Sequence, residues 1–396
     1  PLRLVGSEMC IRDSTIIVNK PAVENEGIGT TATLLNLSNN LYLQDITLKD
    51  ALDYYKTGSA GRAVCLQDRG TQTICKNVKM LSYQDTYYSN EPNGKGQFYF
   101  EDSEIHGTVD YICGGGDVYF NRVLFVNESR KEGEKSGEDV IAAPNSKSEW
   151  GYIFKDCTIE NKAKAFSLGR SWNNITRLTW LNTTINQKDE ILNDDKKYAY
   201  FTINAMGDAM ADKFRLDVLK DAEGNVFSPA EKKVIFKNSD ATKQKAEENI
   251  ILTEEAATYT LDAVFGDWKP ETKAAQATAT ATTLKDGKLS WTGDAKMYLV
   301  AKDGKFYTLT TENSLNVNDD KASFTVRAAN GMGGFGTANG TVSTGINSTM
   351  TTATTVIKTA IFAADGTQLS NLQKGINIIV KTFKDGSKKT SKVIVK

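Results

Sequence analysis

Two aspartates stand out as residues that could do chemistry: Asp85 in the stretch SYQDTYY and Asp110 in GTVDYICGG. Each lies eight residues past an Asn or Asp that recurs along the first half of the chain, Asn77 and Asp102. If these repeats are successive coils of stacked parallel strands, which sit about 4.8 Å apart, equal offsets make the two carboxylates near neighbours. Two carboxylates that close do not both ionise cheaply, so one keeps a proton and the pair titrates as a unit. That division supplies a general acid and a nucleophile. Aspartates also shape turns, and Asp53 sits eight residues past Asp45 with no chemistry assigned to it, so spacing alone leaves both readings open.

The rest of the composition narrows the choice. His106 is the sole histidine of the chain. Most imidazole-ligated metal sites need two or more, and a Ser-His-Asp triad would have to use His106 without the G-x-S-x-G turn that usually carries the serine. A satisfied structural histidine is the expectation. Cys10, Cys65, Cys75, Cys113 and Cys157 form no C-x-x-C pair, and they read as small buried thiols. Gly114 to Gly116 are not followed by the Lys-Ser/Thr of a phosphate loop and read as a tight turn. The 396 residues carry 48 basic and 49 acidic side chains, a net charge of −1, with no long block of one sign. Nothing in that pattern favours a nucleic acid or a membrane surface, and no apolar run approaches the roughly 20 residues that span a bilayer.

The elements that must position the aspartates come from a degenerate repeat: an apolar residue, two variable positions, Asn or Asp, two more positions, an apolar residue. It reads YLQDITL, ICKNVKM, YFEDSEI, VYFNRVL, IFKDCTI and TWLNTTI, with markers at 45, 77, 102, 121, 156 and 182. Short β-rich runs at intervals of this size imply a solenoid. The marker suits a bend between two short strands, because Asn and Asp tolerate left-handed backbone angles. The predicted fold is therefore all-β, a right-handed parallel β-helix with its N-terminal coils missing, over 15–270. VIFKNS (234–239) reads as a late strand and 253–270 as a short helix closing the solenoid. A small immunoglobulin- or fibronectin-III-like sandwich is expected over 271–330, with Asp303-Gly304 as a hairpin turn and Trp291 as a core anchor. A flexible linker is expected over 331–354 and a C-terminal β module, either a sorting module or simply another small β module, over 355–396, with turns at Asp365-Gly366 and Asp385-Gly386. Residues 1–14 resemble a translated adapter remnant and are set aside.

YQDTYY, GTVDYICGG and LGRSWN (168–173) resemble, in order and rough spacing, the signatures of the pectin methylesterase family, which read approximately YQDTLY, GTVDFIFG and LGRPW. NLYLQDITLKD and GRAVCLQ match the flanking pattern, and the resemblance covers about residues 15 to 270. It implies an esterase that hydrolyses the methyl esters of galacturonate units in pectin. Asp110 resembles the nucleophile, Asp85 the acid/base, and Gln84 a donor to the oxyanion. Arg170 would bond Asp110 and keep it anionic, and Trp172 would stack on a sugar ring. Tyr88 and Tyr111 are further candidates for substrate contact. Arg62 stands where the family has a second oxyanion glutamine, 22 residues before Gln84, and it too is expected to meet substrate. An insert around Glu91 to Gly96 is expected beside the cleft, and Ser171 replaces a usual proline. The resemblance implies no cofactor and no metal, a pectin partner, a monomer, and secretion to the cell surface or beyond.

Two other classes compete. A polygalacturonase would need a G-H-G motif, which this sequence lacks, and a lyase would need clustered calcium ligands across the cleft. A non-enzymatic pectin-binding protein with a decayed site would bind pectin without releasing methanol.

Overall fold

The computed structural model describes residues 15–21, 27–57, 61–145, 148–173, 175–193, 198–202, 204–205, 210–228, 232–238, 245–319, 321–340, 342–343, 356–363, 368–371, 373, 375–383 and 388–395. Residues 1–14, Cys10 among them, and the Asp365-Gly366 and Asp385-Gly386 turns lie outside the described residues.

The first part of the chain winds into a parallel β-helix with three sheets. One sheet runs in order through Ile16–Asn19, Thr47–Asp50, Lys79–Leu81, Glu104–Gly107, Leu124–Asn127, Thr158–Asn161, Thr183–Ile185 and Leu219–Lys220. A second contains Leu34–Asn36, Leu66–Asp68, Tyr87–Ser89, Val109–Gly114, Glu138–Pro144 and Ala165–Gly169. The third runs from Tyr42–Gln44 through Thr73–Lys76, Gln97–Glu101, Asp117–Asn121, Tyr152–Lys155 and Ile175–Leu181 to Met210–Leu216. Side chains at one position of each coil stack in register. Phe100, Phe120, Phe154 and Trp180 form such a column, with Phe120 and Phe154 centroids 4.7 Å apart and Phe154 and Trp180 3.8 Å apart.

The bend from the third sheet to the first is a single left-handed residue in each of the six coils that carry the repeat. Asp45, Asn77, Asp102, Asp156 and Asn182 have φ between 50° and 55°. In the remaining coil the left-handed residue is Arg122 (φ 55°), and the sequence reading, which put the marker at Asn121, is off by one. Asn121 belongs to the strand, opposite Glu101 and Lys155, and bonds the Tyr99 hydroxyl. A left-handed Arg costs about 1–2 kcal/mol. Arg122 offsets this with a two-pronged bond from Nε and Nη2 to the Asp102 carboxylate one coil earlier. The other bends do the same with amides: Asn77 Nδ2 to Asp45 at 2.6 Å and Asn182 Nδ2 to Asp156 at 2.5 Å.

VIFKNS falls on the strand Lys233–Asn238, paired antiparallel with Lys245–Asn249. The expected closing helix is instead a run of short turns, Glu254–Thr258, Leu261–Phe265 and Pro270–Ala274. It lies along the side of the third sheet, where Val264, Phe265 and Trp268 bury against Ile74, Tyr99, Tyr119 and Ile153. Pro270 occupies a first helical turn, where its missing N–H costs nothing.

Beyond it, Tyr298–Lys302 pairs antiparallel with Lys305–Thr310 and with Phe324–Ala328. The hairpin turns at Asp303 and Gly304, both left-handed (φ 52° and 76°). Trp291 is buried edge-on against Tyr298. Residues 331–340, expected to begin a flexible linker, form a turn held by Asn330 Oδ1, which accepts from the N–H groups of Met332 and Gly334. The Phe335 carbonyl accepts from Gln44 Nε2 of the β-helix. Of 341–354, only 342–343 are described. A second compact unit comprises 283–285 and 342–396. Its strands Val356–Ala363, Gly375–Phe383 and Lys388–Val395 form an antiparallel sheet.

Candidate active site

Asp85 ends the bend that leads into the strand Tyr87–Ser89, and Asp110 lies in the neighbouring strand of the same sheet. Tyr87 pairs with Ile112 and Tyr88 with Cys113, so Asp85 and Asp110, two residues before Tyr87 and Ile112, occupy matching places on adjacent coils. The Asp85 N–H donates to the Val109 carbonyl at 3.3 Å. Both aspartates are left-handed (φ 61° and 50°), a conformation that Asp tolerates better than most residues. The register with the next strand shifts between Val109 and Ile112, a bulge of the kind that re-aims side chains beside active sites.

That bulge decides the fate of Tyr111. The sequence reading made it a substrate contact, but it is fully buried, its hydroxyl donates to Asn127 Oδ1, and its ring packs on Phe125. Tyr111 and Ile112 both face the core, so Tyr111 is withdrawn from the site. Tyr88 points the other way. It joins Val64, Cys113 and Ala143 in a small apolar patch against Trp172, whose ring centroid is 6.1 Å from that of Tyr88.

Arg170 reaches Asp110 across the one intervening coil: Nε donates to Oδ1 at 2.9 Å and Nη2 to Oδ2 at 2.7 Å. This fork-to-fork geometry is the strong form of a guanidinium–carboxylate bond. On the opposite side, Arg62 Nε lies 3.7 Å from Asp85 Oδ2. Burial pushes the Asp85 carboxyl up to about 8. Asp110 adds to the rise, while Arg62 and Arg170 oppose it. Asp85 therefore holds its proton at neutral pH.

Arg62, Gln84, Val109 and Arg170 line a cleft of about 440 Å³. Gln84 is 8% exposed, and its Oε1 has no hydrogen-bond partner among the described residues, so the scaffold leaves this end of the amide unused. The cleft also includes Arg130, Glu138, Asp139, Ser167 and Thr202, which no motif signals. Asp139 is fully buried and paired to Arg130 Nε at 2.8 Å. Burial raises its carboxyl to about 8 against the pull of that guanidinium. The Glu91–Gly96 insert closes on itself through Glu91, which accepts from the N–H groups of Asn93 and Lys95, and contributes no residue to this cleft. His106 is a structural residue, as expected, bonded to Glu128 at 2.6 Å and Glu104 at 2.7 Å. Ser171 is buried and accepts from the Thr176 hydroxyl. Among the described residues, no three His, Cys, Asp or Glu side chains converge to hold a metal ion, and no helix is long and apolar enough to cross a membrane.

Residues 4–193, just under half of the chain, match the Pectinesterase family model. Pectinesterase B of Pectobacterium parmentieri is 27% identical over 164 residues, covering 37% of this chain and 40% of the relative. Pectinesterase B of Dickeya dadantii (strain 3937) is 29% identical over 162 residues, covering 37% of each. The chain thus spans about two fifths of the length of these curated relatives. Among solved structures, pectin methylesterase from Yersinia enterocolitica is 22% identical, covers 65% of this chain and 86% of its own, and superposes with a TM-score of 0.44. The family that the β-helical part of this chain matches is therefore the pectinesterases.

Proposed function

We propose that the protein is a pectin methylesterase that works through two aspartates. Asp110 attacks the carbonyl carbon of a methyl-esterified galacturonate C6 group. Negative charge gathers on the former carbonyl oxygen, where the Gln84 amide N–H serves as a donor; one such donor is worth roughly 3 kcal/mol in comparable sites. Collapse of this intermediate expels the methoxy group, which takes the Asp85 proton and leaves as methanol. The acyl group now rests on Asp110. Asp85, ionised by that transfer, takes a proton from water, which attacks the acyl carbon and frees Asp110 and the galacturonate carboxylate. Arg170 aims Asp110, and Trp172 and Tyr88 provide the apolar wall for the sugar.

The observation that carries this reading is the pairing of Asp85 and Asp110 at matching places on adjacent coils, one forked by Arg170 and the other proton-holding by burial. The proposal extends to a secreted monomer acting on methyl-esterified homogalacturonan without a cofactor. It also takes the sandwich over 271–330 as fibronectin-III-like and 355–396 as a sorting module. The test is incubation with highly methylated pectin. Wild type should release methanol without creating new reducing ends. Asp85→Asn should slow release at least about 100-fold. New reducing ends in step with methanol would point to a depolymerase instead.

A further inference from the structure

Four charged groups stand in a row across the coils, in the order Arg62, Asp85, Asp110, Arg170. The Arg62 end is fixed by backbone. The N–H groups of Ala63 and Cys65 donate to the carbonyls of Gln84 and Thr86, at 3.0 and 2.8 Å, and so straddle Asp85. Arg62 immediately precedes this bonded stretch on the coil before Asp85, and its side chain reaches toward the Asp85 carboxyl. The two guanidiniums engage their carboxylates differently. Arg170 bonds Asp110 at 2.7 and 2.9 Å, whereas Arg62 Nε stands 3.7 Å from Asp85 Oδ2, beyond hydrogen-bond reach. At that separation direction matters little and charge still acts. The Asp85 side chain is 9% exposed, so solvent screens it poorly, while that of Arg62 is 40% exposed and keeps its charge in the cleft mouth.

We infer that Arg62 works through Asp85, as the counter-charge that decides when this carboxyl releases its proton, and that its positive charge is what matters. This deepens the esterase reading and rests on it for the role of Asp85. The other groups facing Asp85 are Asp110 and Cys113 from the next strand, Arg170 from beyond Ala165–Gly169, Tyr88 from its own strand, and Tyr54. Of these, Asp110 opposes loss of the proton, and Arg170 is committed to Asp110. Arg62 is the cation placed directly against Asp85. A neutral glutamine at this place would leave the buried acid without that cation.

The test compares wild type with Arg62→Gln and Arg62→Lys. Methanol release from highly methylated pectin is followed across pH, and the Asp85 carboxyl carbon is titrated by NMR, assigned by its loss in Asp85→Asn. Wild-type release should fall on the alkaline side as Asp85 loses its proton. In Arg62→Gln that limb and the NMR midpoint should both move up by about one pH unit. In Arg62→Lys both should stay near wild type. An unmoved midpoint in Arg62→Gln, or an equal move in Arg62→Lys, would overturn the inference and leave Arg62 as a hydrogen-bond donor or structural residue. Wild type that releases no methanol would instead remove the esterase reading, while the NMR midpoints would still decide the Arg62–Asp85 pairing.

Discussion

His106 shows how one residue serves this scaffold without touching the cleft. Both ring nitrogens meet carboxylates, Glu104 and Glu128, and these continue to Lys79 at 2.8 Å and Lys162 at 2.7 Å. Burial by itself would pull the His106 pKa down. The two carboxylates outweigh burial, and the net shift is upward. A raised folded-state pKa stabilises fully below the unfolded value of about 6.5 and loses that contribution as pH rises through the folded value. Glu104 has the opposite sign: the His106 bond lowers it to about 2, so its contribution is lost as pH falls through that value. His106→Gln should therefore cost more stability at pH 6 than at pH 9 in urea unfolding. An equal cost at both would contradict the charged arrangement. Asp85, Asp110, Gln84 and Arg170 could be picked out in the sequence as candidates because each sits in a short fixed motif, and the structure places Asp85 and Asp110 on adjacent coils with Arg170 bonded to Asp110. Tyr111 was misread because the bulge at Asp110 breaks the alternation that pattern reading assumes. Asp139 and Arg130 escaped notice because only the stacking of coils brings them to the cleft.

At the scale of the element, the bends and columns carry the fold. The Asn/Asp marker revealed the repeat because left-handed backbone selects those side chains. It failed at Arg122, where a ladder bond to Asp102 replaces residue preference. Arg122→Asn should be near neutral, since Asn tolerates the conformation and can reach Asp102 as Asn77 reaches Asp45. Arg122→Val loses the bond and adds the crowding of a β-branched side chain to the left-handed backbone, and should cost about 1–2 kcal/mol. Equal destabilisation by both would mean that backbone strain is not the controlling factor. In the core column, Phe154 stacks on both Phe120 and Trp180 and is fully buried. Phe154→Ala should cost about 3–5 kcal/mol. Phe306→Ala, on a side chain 54% exposed, should cost less than about 0.5 kcal/mol. Chemical denaturation of the two variants checks the contrast.

At the scale of the molecule, the strand content, the solenoid and the Asp303-Gly304 hairpin were readable because each depends on local periodicity or turn chemistry. The helical turns along the third sheet were read as an end closure, since sequence gives a segment's helicity but not which face it covers. The whole assembly sets an Asp110 carboxylate forked by Arg170 on the coil next to a proton-holding Asp85, while Arg62, Gln84 and Arg170 line a cleft. The most direct measurement is methanol release from highly methylated pectin by Asp110→Asn against wild type, with pectin binding followed in parallel. Turnover should fall at least about 100-fold while binding is largely kept. Full turnover in Asp110→Asn would contradict the account.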